Sequence, residues 1–413
     1  MSASQDDASL APMTAARRRE EFAERRADAL AERVGAATSS RLLSGQGRSP
    51  RYAWFSEEGV LTLVVGDQEG DDVDTALAVG LAERGDRALR LVLPHGWHEP
   101  TLHRWPWLRD DLPLEVWTHT EGTTTRHGRP SRVATLPLVT SVEDPALHLG
   151  DRTGWVEDLM RWAGTQENLD PAHRRGIRAW QCRGQRVLRI ERSRRGLTIV
   201  AGIDWGATSP HETPEPLAIT GPLTPAELSA VTERVQAGCD QRLAGGARKP
   251  DEHWLQAVLR RQPEALGLEQ PVLRELPAWR PRGSSGSRGE QSRGRGYVDL
   301  AGLDATGTLV LVETKLGGDD MLVLQGLDYR IWAEANRSRL TARLDCRSDV
   351  PFEISYCVGG KDGGTPTWSR HAVAQLRALA PDLRWHVQEV TDWFDDQPSS
   401  RRGSLHNFPL PEV

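Results

Sequence analysis

Two acidic side chains and one lysine in the last third of the chain form a set that could bind a hard cation. Asp299 lies in the segment YVDLAGLD, and Glu313 and Lys315 lie in the next segment, TLVLVETKL. Both segments are apolar enough for strands, and a glycine lies between them, which predicts a hairpin. Alternate side chains of a strand share a face, so Glu313 and Lys315 are expected on one side and Thr314 on the other. Hairpin pairing would bring Asp299 beside Glu313.

This set favours hydrolysis of a phosphodiester bond. Two neighbouring carboxylates repel each other, and a divalent cation compensates them. Ligands that offer only oxygen favour Mg²⁺, or Mn²⁺, over zinc. Such a cation lowers the pKa of a bound water and neutralises charge on a phosphate oxygen, while the Lys315 ammonium could stabilise developing negative charge. The alternative is a ladder of surface salt bridges, although VLVETKL is otherwise typical of a central strand.

Lysine is rare in this sequence. Lys249, Lys315 and Lys361 are the only three, and all other basic side chains are arginine or histidine. A lysine that persists in such a background indicates a position where a compact ammonium is needed instead of a planar guanidinium. Lys315 is the one that falls within the candidate motif.

Two flanking helices could add further groups. Gln325 and Tyr329 are four residues apart in a predicted helix at 321–336, so they share a face. They could contact a nucleic-acid backbone or brace Lys315, or they could only pack the helix against the sheet. In an earlier predicted helix at 251–266, Glu252 or His253 could reach the same cation. Glu252 could equally be a first-turn acid favoured by the helix dipole.

Taken in order, these residues resemble a known superfamily. Glu252, the G-Y-V-D that ends at Asp299, the E-T-K at 313–315 and the Q-x-x-x-Y at 325–329 resemble the PD-(D/E)XK nucleases. Their order and spacing are similar to those of RecB-like exonuclease domains and of the C-terminal domain of NucS/EndoMS-type mismatch endonucleases. The segment E-x-x-L-x(7)-P, formed by Glu252, Leu255 and Pro263, is similar to the first helix of the NucS-like group.

The resemblance covers about 145 residues, a plausible single domain, and implies a restriction-endonuclease-like αβββαβ core with a magnesium site. It implies that Asp299 and Glu313 are metal ligands, that Lys315 is the catalytic lysine, and that Glu252 is a further acidic ligand or organises water. The activity it implies is metal-dependent DNA hydrolysis, in repair or in defence against foreign DNA by analogy. The proline that usually precedes the first aspartate is absent, and the long loop before Asp299 leaves the alignment of Glu275 and Glu290 open.

The loop at 280–296 is rich in arginine, glycine and serine. Its arginines are Arg280, Arg282, Arg288, Arg293 and Arg295. They could form a solvated linker or a clamp that orders on phosphates, with Arg293 and Arg295 as the expected nucleic-acid contacts. The histidines of PHGWHEPTLH fit no standard zinc spacing and are interpreted as ordinary loop residues.

Two other functions remain open. The first is a catalytically inactive nucleic-acid-binding or partner-binding protein that keeps a nuclease-like fold. The second is an N-terminal enzyme acting on a nucleotide near Gly66–Asp74, where an acidic segment follows a predicted strand. That segment lacks a glycine-rich phosphate fingerprint, and the sequence contains no P-loop motif.

The 413 residues predict an α/β multidomain protein. The expected divisions are a charged arm and linker at 1–50, an N-terminal α/β module at 51–149, a mixed, β-rich middle module at 150–245, the nuclease-like domain at 246–395 and a tail at 396–413. A strand at 60–65, a helix at 74–86 and a strand at 88–94 indicate a parallel βαβ unit. The sequence of the middle module predicts an antiparallel meander followed by a helix with a Thr224–Glu227 capping box.

Composition limits the partners and the compartment. The net charge is −6, so contact with DNA, the expected partner, must come from a local basic patch. The four cysteines form no C-x-x-C pair, and neither a transmembrane run nor a basic-then-apolar secretory start occurs. A cytoplasmic protein that does not bind membranes is expected. A homodimer and a protein partner for the N-terminal module are left open.

Overall fold

A computed structural model describes residues 52–57, 59–65, 73–120, 123–135, 154–174, 177–194, 196–203, 216–244, 251–280 and 295–403. These residues form eight α-helices and three β-sheets, which confirms a mixed α/β protein. They divide into two compact units. The first contains the described residues up to Leu102 together with Asp110–Arg129, and the second contains His103–Arg109 and the described residues from Pro130 onward. The arm expected at 1–50 lies outside the described residues.

The first unit is built on a five-stranded sheet. Its elements are β1 (Tyr52–Glu57), β2 (Val60–Val65), α1 (Val73–Glu83), β3 (Ala88–Pro94), β4 (Leu114–Thr120) and β5 (Thr123–His127), and helix α2 (Glu99–Arg104) belongs to it as far as Leu102. The strand order follows the chain, β2 to β4 are parallel, and both edge strands are antiparallel. The predicted parallel βαβ unit is therefore confirmed. Helix α1 ends at Glu83, short of the predicted residue 86, and Gly85 takes the left-handed conformation (φ +59°) that follows many helix ends.

The middle of the chain forms an antiparallel sheet. Its elements are α3 (Gly154–Gly164), β6 (Asp170–Arg174), β7 (Ile177–Cys182), β8 (Gln185–Ser193), β9 (Gly196–Ala201), β10 (Leu217–Thr220) and α4 (Pro225–Leu243). The order β10-β9-β8-β7-β6 confirms the predicted meander. Helix α4 begins with the predicted capping box, in which Thr224 and Glu227 satisfy each other's backbone amides. Apolar side chains of α3 and α4 pack on one face of the sheet.

A six-stranded mixed sheet follows. Its elements are α5 (Glu252–Arg261), β11 (Leu268–Trp279), β12 (Arg295–Asp304), β13 (Leu309–Leu316), α6 (Leu322–Ala335), α7 (Arg337–Arg343), β14 (Phe352–Gly359), α8 (Arg370–Ala378), β15 (Trp385–Thr391) and β16 (Ser399–Gly403). Strands β11 to β13 are antiparallel, β13 to β15 are parallel, and β16 is antiparallel to β15. The β12–β13 connection turns at Gly307 (φ +78°), as the predicted hairpin requires.

Helices cover both faces of this sheet. Val310 and Val312 of β13 join the core formed with α5, whereas Leu309 and Leu311 join the core formed with α6. Thr314 follows on the α5 side, where its hydroxyl accepts a hydrogen bond of 3.2 Å from Gln256. Among the described helices, none combines the length and apolar character needed to cross a lipid bilayer.

The expectation of a tail from residue 396 needs correction. Ser399–Gly403 form β16, which pairs with β15 from Val387↔Gly403 to Thr391↔Ser399. The segment SSRRG has no apolar alternation to indicate a strand, because an edge strand with exposed side chains needs none. Ion pairs to its neighbours hold it: Arg401 to Glu389 at 2.7 Å and Arg402 to Glu353 at 2.6 Å.

Candidate active site

Asp299 occupies the position where β12 and β13 stop pairing. Their register runs from Leu303↔Leu309 to Leu300↔Val312, and β13 then continues alongside β14. The Asp299 Oδ2 atom accepts hydrogen bonds from the backbone amide of Thr314 at 2.7 Å and from its hydroxyl at 2.8 Å. The carboxylate is therefore fixed between the two strands, and Thr314, rather than Glu313, is its hydrogen-bond partner.

Lys315 joins two acidic side chains from different elements. Its Nζ donates to Oε1 of Glu313 at 3.0 Å and to Oε1 of Glu252 at 2.9 Å, and it also contacts the Thr314 carbonyl at 3.0 Å. Glu252 is the first residue of α5, whose N-cap Asp251 accepts a hydrogen bond from the Trp254 amide at 3.0 Å. The helix start and the end of β13 thus meet at one ammonium group.

The carboxylates lie in a poorly solvated environment. Asp299 is 8% exposed and Glu313 is 3% exposed. Burial raises the pKa of Glu313 well above its usual range, and the neighbouring Asp299 charge adds to the effect against the opposing charge of Lys315. Burial also raises the pKa of Asp299 and of Glu252, again opposed by Lys315.

Lys315 stays charged in this setting. Burial alone lowers the pKa of Lys315, but the charges of Glu313, Asp299 and Glu252 raise it above its usual value. The ammonium is consequently a fixed positive charge beside three acidic groups. One ammonium does not balance the charge of three carboxylates, so the site can accept a further cation.

The donor atoms fit a hard cation. In the part of the chain that the structure describes, no three His, Cys, Asp or Glu side chains are arranged to hold a metal ion by themselves. Mg²⁺ does not need such a cage, because it is commonly bound by one or two carboxylates together with waters and substrate phosphates. Asp299 and Glu313 supply two buried carboxylates. The Glu313 Oε2 atom is buried and has no hydrogen-bond partner among the described residues, so this acceptor could bind a cation.

Tyr329 and Gln325 lie on α6. Tyr329 is buried, and its hydroxyl accepts a hydrogen bond of 3.2 Å from the Tyr297 amide at the start of β12. Burial raises the pKa of Tyr329, followed by the charge of Glu313, so the phenol is within electrostatic range of the carboxylates. Gln325 is partly buried, and its buried Oε1 atom has no hydrogen-bond partner in the part of the chain that the structure describes. The Tyr329 hydrogen bond therefore joins α6 to β12 two residues before Asp299.

The structure describes only part of the arginine-rich segment that is expected to contact nucleic acid. Arg293 lies outside the described residues, and for Arg295 the structure describes the backbone at the start of β12 but not the side chain. Arg280, at the other end of the same loop, donates from Nε to Asp328 of α6 at 3.1 Å. One end of the loop is therefore attached next to Tyr329.

Glu275 is a site residue that sequence analysis left open. The pairs Arg274↔Leu300 and Leu276↔Val298 place Glu275 of β11 beside Asp299. It is buried and left-handed (φ +51°), a conformation that costs free energy for a non-glycine residue and is retained where surrounding contacts enforce it. Its Oε1 lies 3.6 Å from Nδ1 of His253. The sequence left the alignment of Glu275 open, because its place beside Asp299 follows from the strand register and its left-handed conformation from the folded backbone.

No protein-family model, curated protein or solved structure matches the chain. Function is therefore inferred from the geometry of this site.

Proposed function

We propose that the C-terminal domain is a Mg²⁺-dependent deoxyribonuclease, with Mn²⁺ as an alternative metal. The described elements from α5 onward run helix, three strands, two helices and strand through β14, which agrees with the αβββαβ order implied by the resemblance to PD-(D/E)XK nucleases apart from the additional short helix α7. That agreement supports the fold assignment, while the chemistry rests on the side chains.

One observation carries the proposal: the Lys315 ammonium contacts Glu313 and Glu252 at 3.0 and 2.9 Å, next to the buried Asp299. A surface ladder of salt bridges would leave these groups in water, where they cost little. Burying them costs several kcal/mol per ion in general terms. Buried groups with displaced pKa values that gather in one place are characteristic of functional sites.

Each residue has a role in the proposed hydrolysis. Asp299 and Glu313 would hold the cation, and Glu252 would be a further acidic ligand or orient a water. When bound, the cation supplies Lewis acidity at a phosphate oxygen. Thr314 fixes Asp299 with two hydrogen bonds, so the carboxylate does not reorganise during the reaction. Lys315 presents a permanent positive charge to the phosphate oxygens as negative charge develops.

The test is cleavage by the purified full chain of supercoiled, linear and single-stranded DNA, with Mg²⁺, with Mn²⁺ and with a chelator. We expect metal-dependent cleavage that is lost in Asp299→Asn and Glu313→Gln. Asp349→Asn, in an exposed pair with Arg347, is the matched control and should cleave normally. DNA binding without cleavage under every metal condition would overturn the proposal and favour the catalytically inactive binding protein. A role in repair or in defence against foreign DNA is proposed from the resemblance alone.

A further inference from the structure

Phe394 is an exposed aromatic side chain in the turn that follows β15. In the described part of the chain, only two large hydrophobic side chains are exposed: Val133 at 80% and Phe394 at 37%. Phe394 lies in the short 3₁₀ turn Trp393–Asp395, between β15 and β16. Isolated exposed apolar residues need no explanation, so its surroundings decide whether it has a role.

The ring of Phe394 is held in place. It packs on Trp254 with ring centroids 4.7 Å apart and meets Trp393 edge-on at 6.2 Å. Asp392 and Asp396, on either side of the turn, are both left-handed (φ +57° and +55°). Arg183 binds Asp396 at 2.8 Å, which fixes the end of the turn. The aromatic surface is thus presented by a backbone that its neighbours constrain.

This ring is linked to the candidate active site through helix α5. Trp254, on which it packs, lies two residues after Glu252 in the first turn of α5. Glu252 in turn binds Lys315 at 2.9 Å. Two contacts and the backbone of the first turn of α5 therefore connect the exposed ring to Lys315.

Lys361, one of the three lysines of the chain, lies at the same end of the sheet. It follows β14, whose last residue, Gly359, pairs with Leu316 immediately after Lys315. Lys361 is exposed, and its stem lies over Gly317, where an added methyl group would be 2.9 Å from the lysine Cε. The glycine therefore makes room for the lysine beside the end of β13.

The turns that carry the two residues contact each other. The Asp392 amide donates to the carbonyl of Gly363 at 2.9 Å. A methyl group built at Gly363 would lie 3.1 Å from the Cβ of Phe394. The turns that carry the cation and the aromatic ring are consequently in contact with each other, at the end of the sheet where β13 ends after Lys315.

We infer that Phe394 and Lys361 form a subsite for an unpaired nucleotide of the nucleic-acid strand, with the base stacked on the ring and a phosphate at the ammonium. Every base has a π-face, so stacking on an exposed aromatic ring tolerates any sequence. A base within a duplex is already stacked on both faces, which makes an unpaired nucleotide the occupant. This inference rests on the proposed nuclease function and adds that the substrate strand carries an unpaired nucleotide at this subsite.

The test measures binding separately from cleavage. The full chain is titrated, in chelator, into a fluorescein-labelled single-stranded oligodeoxythymidylate and into a duplex of the same length, and anisotropy is recorded at several salt concentrations. We expect Phe394→Ala to weaken single-strand binding by about 10- to 100-fold. Phe394→Leu should bind the single strand as weakly as Phe394→Ala, although leucine keeps apolar contact with Trp254. Phe394→Trp, which keeps an aromatic ring, should bind like wild type. Val133→Ala is the matched control for loss of an exposed apolar side chain.

For the cation, Lys361→Ala should weaken binding of every sequence similarly and reduce the salt dependence by about one phosphate contact. Lys361→Arg should retain most of the binding, since a phosphate accepts either cation. Arg347→Ala removes the same charge before the start of β14, at the opposite end of that strand, and should bind as wild type. Thermal unfolding of each variant checks the fold.

The two proposals fail in different ways. Binding that depends on Phe394 and Lys361 in a protein that cleaves nothing supports the subsite and overturns the nuclease. Metal-dependent cleavage in a protein whose folded Phe394→Leu and Lys361→Ala variants bind the single strand like wild type supports the nuclease and overturns the subsite. If Phe394→Ala weakens duplex binding as much as single-strand binding, the subsite proposal is also overturned.

Discussion

The carboxylate of Asp299 receives two hydrogen bonds from a single residue, Thr314: one from the backbone amide at 2.7 Å and one from the hydroxyl at 2.8 Å. Both bonds stabilise the ionised form of Asp299 and partly offset the increase that burial causes in its pKa. Thr314 therefore controls both the position and the charge of a proposed metal ligand.

Thr314→Val should impair the site while leaving the strand intact. Valine keeps the amide donor and the β-branched shape but removes the hydroxyl, so the pKa of Asp299 should rise further and Mg²⁺ affinity should fall. The lost bond to a charged group should lower the free energy of unfolding by about 1.5–3 kcal/mol. Urea unfolding and Mg²⁺-dependent cleavage are the measurements. Thr314→Ser keeps the hydroxyl and should remain close to wild type; a fully active Thr314→Val variant would contradict this account.

Lys315 should not be replaceable by arginine. The ammonium donates to three oxygen atoms at 2.9–3.0 Å from a largely buried position, and a longer, planar guanidinium cannot reproduce that arrangement. We expect both Lys315→Arg and Lys315→Met to reduce single-turnover cleavage by about 100-fold or more. DNA affinity should change much less, because the lysine acts on charge that develops during the reaction. Full activity in Lys315→Arg would show that only the charge matters.

Arg104 and Asp328, both in the second unit, should be strongly coupled in stability. They form a bidentate pair with two contacts of 2.7 Å, and both side chains are fully buried. Arg104→Met leaves a buried charge behind and should cost about 3–5 kcal/mol, reduced by the remaining contact from Arg280. The double variant Arg104→Met/Asp328→Leu should recover much of this loss. Urea unfolding in a double-mutant cycle measures the coupling, and additive losses would argue against it.

His98 should make the first unit sensitive to acid. Burial, followed by the charges of His127 and His95, lowers the pKa of His98 from 6.5 to about 4. The unfolded chain therefore takes up this proton before the folded one. The contribution to stability is present above about pH 6.5 and is lost as the pH falls towards about 4. After a discount for solvent screening it should amount to about 1–2 kcal/mol.

The measurement is urea unfolding of wild type and His98→Gln between about pH 7 and about pH 4. The variant should lose less stability over this range. Titration of the His98 ring by NMR provides an independent check, and a midpoint near 6.5 would contradict the expected shift.

The sequence predicted the local parts of the site well. The side-chain period of a strand placed Glu313 with Lys315, and the apolar pattern located β13, β14 and the hairpin. Helix α5 was predicted from its apolar period, although its last predicted turn is a separate 3₁₀ segment, Pro263–Leu266. These features depend on residues close together in the chain, which a pattern can capture.

The rest depends on contacts between distant segments. The orientation of Asp299 towards Thr314 follows from the place where β12 leaves β13, which no periodicity encodes. The left-handed Glu275 and the contact between Phe394 and Trp254 arise only when strands and helices from separate segments meet. Strand β16 escaped detection because its outward-facing residues are polar.

Strand β16 also determines where the chain can be shortened. It covers the outer edge of β15, and without it the backbone amides and carbonyls of β15 would be open to pairing with another molecule. A polypeptide that stops near residue 396, where sequence patterns alone would end the domain, would expose this edge and be prone to self-association. Recombinant versions of the domain should therefore extend at least to Gly403, and aggregation of a shorter one would say nothing about its catalytic residues.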